Sequence, residues 1–326
     1  MLFDITVADP LEVLASTRRV LESAQFVEIN ERRLKHISKL VANKIKKGLE
    51  DASTSFGTRA NGVHNAQLIF IEDAVNFCFW AEKGKEKWQI EWPEGNIVTG
   101  GWYALVKSFE RSLAGSIRIL DANYLSEIKL SDVQDLFRSS NGVEIPLIAE
   151  RVKNLQEVGK VLSQKYDGQF INLVESAKFD AIPLVKKIYE EFSSFGDIAS
   201  FEGQSVYLLK RAQIVASDLT YIFPEKIKNA DLLRGFADYK LPQIFREVGL
   251  MAYTPSLAQD IDDYKLITAG SREEVEIRSA TVWSIELIRQ QLEKYTSSQI
   301  DNAVWLISQD QSRVTHPYHR TYTIYY

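Results

Sequence analysis

Leu34-Lys35-His36-Ile37-Ser38-Lys39-Leu40-Val41-Ala42-Asn43-Lys44-Ile45 is the stretch from which the fold class follows. Leu34, Ile37, Leu40, Val41 and Ile45 recur at three- and four-residue spacing, which puts them on one stripe of a helix. Lys39, Lys44, Lys46 and Lys47 decorate the other faces, as expected of a solvated helix surface. The pattern returns from Glu144 onward, where Leu147, Ile148, Val152, Leu155, Val158 and Leu162 form a second stripe. Ser271 and Glu274 have capping-box spacing at the head of a further helix carrying Val275, Val282, Trp283, Ile285 and Ile288. Gly100-Gly101 breaks the chain before a helical Trp102 to Leu113.

A smaller signal is β-like. Leu68-Ile69-Phe70-Ile71 is a short apolar run, and Trp88, Ile90 and Trp92 alternate with Gln89 and Glu91, the period of a half-buried strand. Glu82-Lys83-Gly84-Lys85 falls in the connection. The expectation is therefore a mainly α protein with a small antiparallel β element, its helical lobes set around a cleft. No linker, internal repeat or low-complexity tract divides the chain, so residues 1–326 read as one unit. Only the turn-forming Ser139-Ser140-Asn141-Gly142 offers a boundary, near residue 140, between two closely packed lobes.

Composition sets the class. The 326 residues are 45% hydrophobic and 25% charged, with a formal net charge of -5 and a pI near 5.6. That is globular composition, and its acidic balance argues against a nucleic-acid duplex as main partner. Cys78 is the one cysteine and lies in an apolar run, which rules out an internal disulfide. The four histidines His36, His64, His316 and His319 make no paired metal-ligand motif, so neither metal nor cofactor is expected. Met1-Leu2-Phe3-Asp4-Ile5 does not read as a signal peptide, and no apolar run approaches the ~20 residues of a membrane span. A soluble intracellular protein is the expectation, cytoplasmic with the nucleus left open.

Four separated blocks carry more. They are Asp73-Ala74-Val75-Asn76-Phe77-Cys78-Phe79-Trp80, Lys210-Arg211-Ala212-Gln213-Ile214, Phe236-Ala237-Asp238-Tyr239-Lys240-Leu241-Pro242-Gln243, and Gly270 to Arg278. In this order, with Tyr325-Tyr326 at the end, the chain resembles the queuosine salvage family of queuosine 5′-phosphate N-glycosidases from about Phe56 to its last residue. The resemblance implies hydrolysis of the N-glycosidic bond of queuosine 5′-monophosphate, releasing ribose 5-phosphate and queuine for tRNA modification. It also implies a metal-free reaction and a fold similar to helix-hairpin-helix DNA glycosylases.

Such a reaction passes through a ribosyl cation, which a nearby carboxylate stabilises. Queuine is a 7-deazapurine, so the base lacks the N7 that purine glycosidases protonate. Its side group carries a secondary amine that calls for a second acid, and the phosphate calls for Arg or Lys. Asp238 matches the family motif and is assigned the catalytic carboxylate; Phe236 is placed to stack on the base, with Tyr239 as a second wall or as core packing. Asp301 is the candidate acid for the amine. Asn302 follows it where the family has an aromatic, and Leu306 stands where the family has an acid, which puts base recognition in doubt. His64 falls where the family has a histidine and is a candidate donor to the base, or a solvated loop residue. Asp73 and Asn76 either organise the fold or touch substrate.

Lys210 and Arg211 follow an apolar run at a strand-to-helix junction, a ready phosphate site, or else form a solvated basic pair. Arg278, His319 and Arg320 are further cationic candidates, and Tyr322, Tyr325 and Tyr326 read as a docked end. Two other functions fit the same residues: a glycosylase acting on a modified base within nucleic acid, and a non-catalytic helical interaction protein.

Overall fold

The computed structural model describes residues 3, 7–50, 62–115, 117–310, 312 and 314–326. Apart from Phe3, the Met1–Ile5 stretch lies outside the described residues, as does Phe56, where the resemblance begins. The architecture is mainly helical, as the periodicity predicts. The helix Arg272–Gln291 runs through the centre and is buried without interruption from Glu274 to Ile288. Around it pack the helices Val13–Glu22, Leu34–Glu50, Lys240–Glu247 and Ser297–Ser308, together with the strand Val27–Ile29. A second buried helix, Gly62–Ala74, is covered by Ile148–Lys165, Lys210–Ile222, Phe170–Ser176 and Gly101–Leu113. Buried apolar side chains from Leu11 to Tyr326 join into one cluster.

The β-structure among the described residues consists of three antiparallel two-stranded ribbons. Gln89–Glu91 pairs with Ile97–Thr99, which realises the expected hairpin at Trp88–Trp92. Ile198–Phe201 pairs with Gln204–Tyr207, and Val27–Ile29 pairs with Met251–Tyr253 across most of the chain. The run Leu68–Ile71 departs from expectation, because it lies inside the Gly62–Ala74 helix. Every residue from Ala66 to Ala74 is buried there. A helix wrapped on all sides has no polar face, so its sequence shows an apolar run with no 3.6-residue period.

Local chemistry fixes the ends of the helices that carry the site. Ser271 Oγ accepts from Glu274 N at 3.3 Å, while the Glu274 carboxylate accepts from Gly270 N at 3.1 Å, one residue before the usual capping-box partner. Thr296 and Gln299 close a full capping box on Ser297–Ser308. Leu209, at φ 51°, turns the chain out of its strand and into Lys210–Ile222. A branched residue in the left-handed region is strained and has to be held by its surroundings. Here Asp197 O accepts from the backbone N–H groups of both Leu208 and Leu209, at 3.1 and 3.0 Å.

Candidate active site

The segment before Asp238 lies flat against the central helix. A Cβ on Gly235 would come within 3.0 Å of Ile285 Cβ, so the close approach depends on glycine. Two buried side chains then pin the backbone. Asp301 Oδ2, from Ser297–Ser308, accepts from Phe236 N at 2.7 Å. Arg278, from the central helix, donates through Nε and Nη2 to Ala237 O, both at 3.2 Å. The same guanidinium grips Asp197 through two bonds of 2.8 and 2.6 Å, a fork-to-fork pair.

Asp238 is thereby presented with one oxygen committed. Its Oδ1 accepts from Lys240 N at 2.8 Å and Leu241 N at 2.9 Å, capping the first turn of Lys240–Glu247. No described residue donates to Oδ2. Phe236, Asp238 and Tyr239 each keep only 7–8% of their surface exposed.

Lys210 is the counter-charge. Its backbone N–H donates to Asp197 Oδ2 at 3.0 Å, which anchors the head of the Lys210–Ile222 helix. Burial pushes the Lys210 ammonium down, and the negative charges of Asp238 and Asp73 oppose that push. Burial pushes Asp238 up, while Lys210 and the two capping N–H groups hold it down. Asp301 is held well above the usual carboxylate range by burial and then by Asp238, against the Phe236 N–H and Lys210. Asp73 is pushed up to about 7, by burial foremost. Its Oδ1 accepts from Asn76 at 3.2 Å, and its Oδ2 is buried with no described partner. One ammonium thus lies within electrostatic reach of three carboxyl groups in a desolvated space. Among the described residues no group of three or more His, Cys, Asp or Glu is arranged to hold a metal ion.

The block Asp73–Trp80 leaves its helix and runs buried without regular structure, so its carbonyls need outside donors. Arg211 supplies Asp73 O and Ala74 O, at 2.9 and 2.6 Å, and also Ser194 O. Arg151 supplies Val75 O, Phe77 O at 2.5 Å and Cys78 O at 3.3 Å. Asn154 adds a second bond to Ala74 O, at 2.8 Å. Cys78, at φ 46°, donates its N–H to Tyr326 O at 2.8 Å.

Several sequence expectations are corrected by these placements. Arg211 is not available to a phosphate, because its Nη donors are spent on carbonyls. Arg278 is withdrawn too, held between Asp197, Ala237 and the Tyr326 ring, 4.3 Å away. His319 is buried and pushed down to about 3 by burial and then by Arg278 and Arg320, so it is a neutral ring and not a cation. His64 is not in a loop. It is exposed on the first turn of Gly62–Ala74, at the edge of an open cleft of about 510 Å³ that it shares with Arg118, Asp121 and Asp167. Asn302 is exposed while Asp301 beside it is buried, so the two point to different sides of their helix. Tyr239 packs against Tyr318, with ring centroids 4.9 Å apart. The structure therefore gathers Asp238, Asp301, Phe236 and Lys210 and leaves out His64 and Asn302. Asp197, which ties Arg278 to Lys210, was missed; a single Asp after Gly196 gives no periodic or motif signal.

A mainly helical scaffold with a buried carboxylate, its lysine and a second acid defines a site suited to a reaction that builds positive charge. The queuosine salvage protein family model matches residues 58–326, and the chain belongs to that family. The chain is 37% identical, over 98% of both sequences, to a Sphaerobacter thermophilus protein named queuosine 5′-phosphate N-glycosylase/hydrolase. Proteins of the same name from Mus musculus and Schizosaccharomyces pombe are 32% and 28% identical, over 97% and 90% of this chain and 99% and 92% of their own.

Proposed function

We infer that the chain is an N-glycosidase that hydrolyses queuosine 5′-phosphate to queuine and ribose 5-phosphate. The observation that carries this reading is Asp238, a desolvated carboxylate with Oδ1 fixed by two N–H groups and Oδ2 left for a ligand. As the C1′–N9 bond breaks, the electron pair leaves with the base and the ribose ring becomes cationic. Oδ2 stabilises that cation and orients the water whose oxygen bonds to C1′, and the proton that this water sheds is balanced by the one the departing base takes up. In a low-dielectric site such a fixed charge is worth far more than in water. Lys210 favours the ionised form of Asp238 and opposes the upward push of its burial.

Phe236 stacks on the base, a role supported by its place two residues before Asp238 and its small remaining exposure. Asp301 recognises the amine of the queuine side group. Burial favours its protonated form, and an incoming ammonium supplies the charge that favours the carboxylate. The net charge of -5 supports a free nucleotide over a base held in tRNA.

The test is to incubate the purified protein with queuosine 5′-monophosphate and follow queuine by mass spectrometry. Release is expected; a folded protein that releases none overturns the reading. Asp301→Ala should weaken queuine binding more than binding of the same base without its amine side group. Equal losses for the two bases remove Asp301 from amine recognition.

A further inference from the structure

Arg278 grips Asp197 at 2.8 and 2.6 Å but holds Ala237 O only at 3.2 Å. We propose that Tyr326 is a positioning residue for Asp238, acting through Arg278. The proposal rests on the reading of Asp238 as the carboxylate of the glycosidase reaction.

Three observations carry it. First, the edges of the Arg278 guanidinium are taken. Asp197 and Ala237 O occupy them, and Glu274 Oε1 lies 3.6 Å from Nη1. What remains is the flat face, which has no N–H to give and suits an aromatic ring. The centroid of the Tyr326 ring lies 4.3 Å from the guanidinium carbon.

Second, the ring is itself held. Tyr326 is buried, its O accepts from Cys78 N at 2.8 Å, and its hydroxyl lies 3.3 Å from His319 Nε2. Burial raises Glu274, and Arg278 and then the Tyr326 hydroxyl oppose that push. Burial and then the charge of Glu274 push Tyr326 well above its usual range, so the hydroxyl keeps its proton. The side chain is thus fixed at its backbone, at its hydroxyl and at its face.

Third, the weak point of the Arg278 grip lies beside the carboxylate. The Asp197 pair is short, charged and bidentate, whereas Ala237 O is a neutral acceptor at longer range. A guanidinium free to tilt keeps Asp197 and gives up Ala237 O, the carbonyl of the peptide that joins Ala237 to Asp238. The backbone before Asp238 then loses one of its two pins. Oδ2 acts on the ribosyl cation, which forms only as the bond breaks, so the loss falls on kcat and spares KM.

The experiment measures kcat and KM for queuosine 5′-monophosphate in the wild type, Tyr326→Phe and Tyr326→Leu. Tyr326→Phe keeps the ring and loses the hydroxyl, so it should melt lower and retain the wild-type kcat. Tyr326→Leu loses the ring, and its kcat should fall about tenfold with KM within about twofold. Should Tyr326→Leu fail to fold, Tyr326→Met, whose flexible chain fills irregular gaps, is read the same way. A wild-type kcat in Tyr326→Leu overturns the proposal, as does an equal loss of kcat in Tyr326→Phe. A second arm follows amide hydrogen exchange in Phe236–Gln243, where the Lys240 and Leu241 N–H groups are bonded to Asp238. Faster exchange in Tyr326→Leu but not in Tyr326→Phe supports the positioning even if the wild type releases no queuine, a result that would sink the catalytic reading alone. Unchanged exchange in Tyr326→Leu overturns the positioning whatever the turnover.

Discussion

Two motif blocks, Asp73–Trp80 and Phe236–Gln243, sit in the same buried region and use positive charge in opposite ways. The first is an irregular buried strip whose carbonyls are taken by Arg151 and Arg211. The second presents a carboxylate with a lysine opposite and an oxygen to spare. Arginine forks suit fixed carbonyls and carboxylates, while a lysine ammonium is a compact point charge that answers to its electrostatic surroundings. The difference teaches that the cations relevant to a ligand are those the fold has not already used. By that count Arg151, Arg211 and Arg278 serve the frame, while the Lys210 charge faces Asp238.

The contrast is sharpest at Asp238. Asp238→Asn keeps an Oδ1 that caps Lys240–Glu247, so its thermal melt should stay near that of the wild type. Turnover should fall about 10³-fold, measured as queuine release. A variant with near-normal rates would break the division between the blocks.

Arg278→Met tests the frame. It leaves Asp197 as a buried charge without its partner, an effect of about 3–5 kcal/mol. Urea denaturation should show the loss directly, and a milder loss than that of Lys210→Met would contradict the assignment of arginines to structure.

Lys210→Met should lower turnover about 100-fold and also move the pH profile. Lys210 opposes the burial that raises Asp238, so without it the carboxyl holds its proton to higher pH. The acidic limb of kcat/KM then shifts upward; an unmoved limb removes Lys210 from the electrostatics of Asp238.

The smallest effect concerns Asp73, pushed from 3.8 up to about 7. The folded state binds this proton more tightly than the unfolded state. The stability it contributes is full below pH 3.8 and is lost as pH rises through about 7. Asp73→Asn removes that loss, so its melting temperature should gain on the wild type across this window. Parallel curves would show that Asp73 is not protonated in the fold.

The helical class was legible because stripes such as Leu34 to Ile45 repeat at the helical period. Leu68–Ile71 misled because complete burial erases that period. Asp238 stood out in the sequence because it lies in one of the four blocks, whereas Asp301 stands where the family pattern is least kept; both are buried. Whether a nearby cation serves substrate or frame was not, because it depends on partners far along the chain. Arg211 meets carbonyls 137 and 138 residues away, and Arg278 meets Asp197 across 81 residues. Asn302 shows the complementary limit: proximity in sequence to Asp301 says nothing about which side of a helix faces the site.

The clamps on Asp73–Trp80 also bear on the order of folding. Arg151 reaches this strip across 73 to 76 residues and Arg211 across 137 and 138, and Tyr326 closes it from the far end. The strip has no ladder of its own, so it gains its donors only after the helices carrying them have docked. Long loop closure precedes any reward, which places its ordering late, after the transition state. Weakening a clamp is then expected to speed unfolding and leave the refolding rate almost unchanged. The expected signature is a shortened lifetime of the folded protein with its ability to fold unchanged.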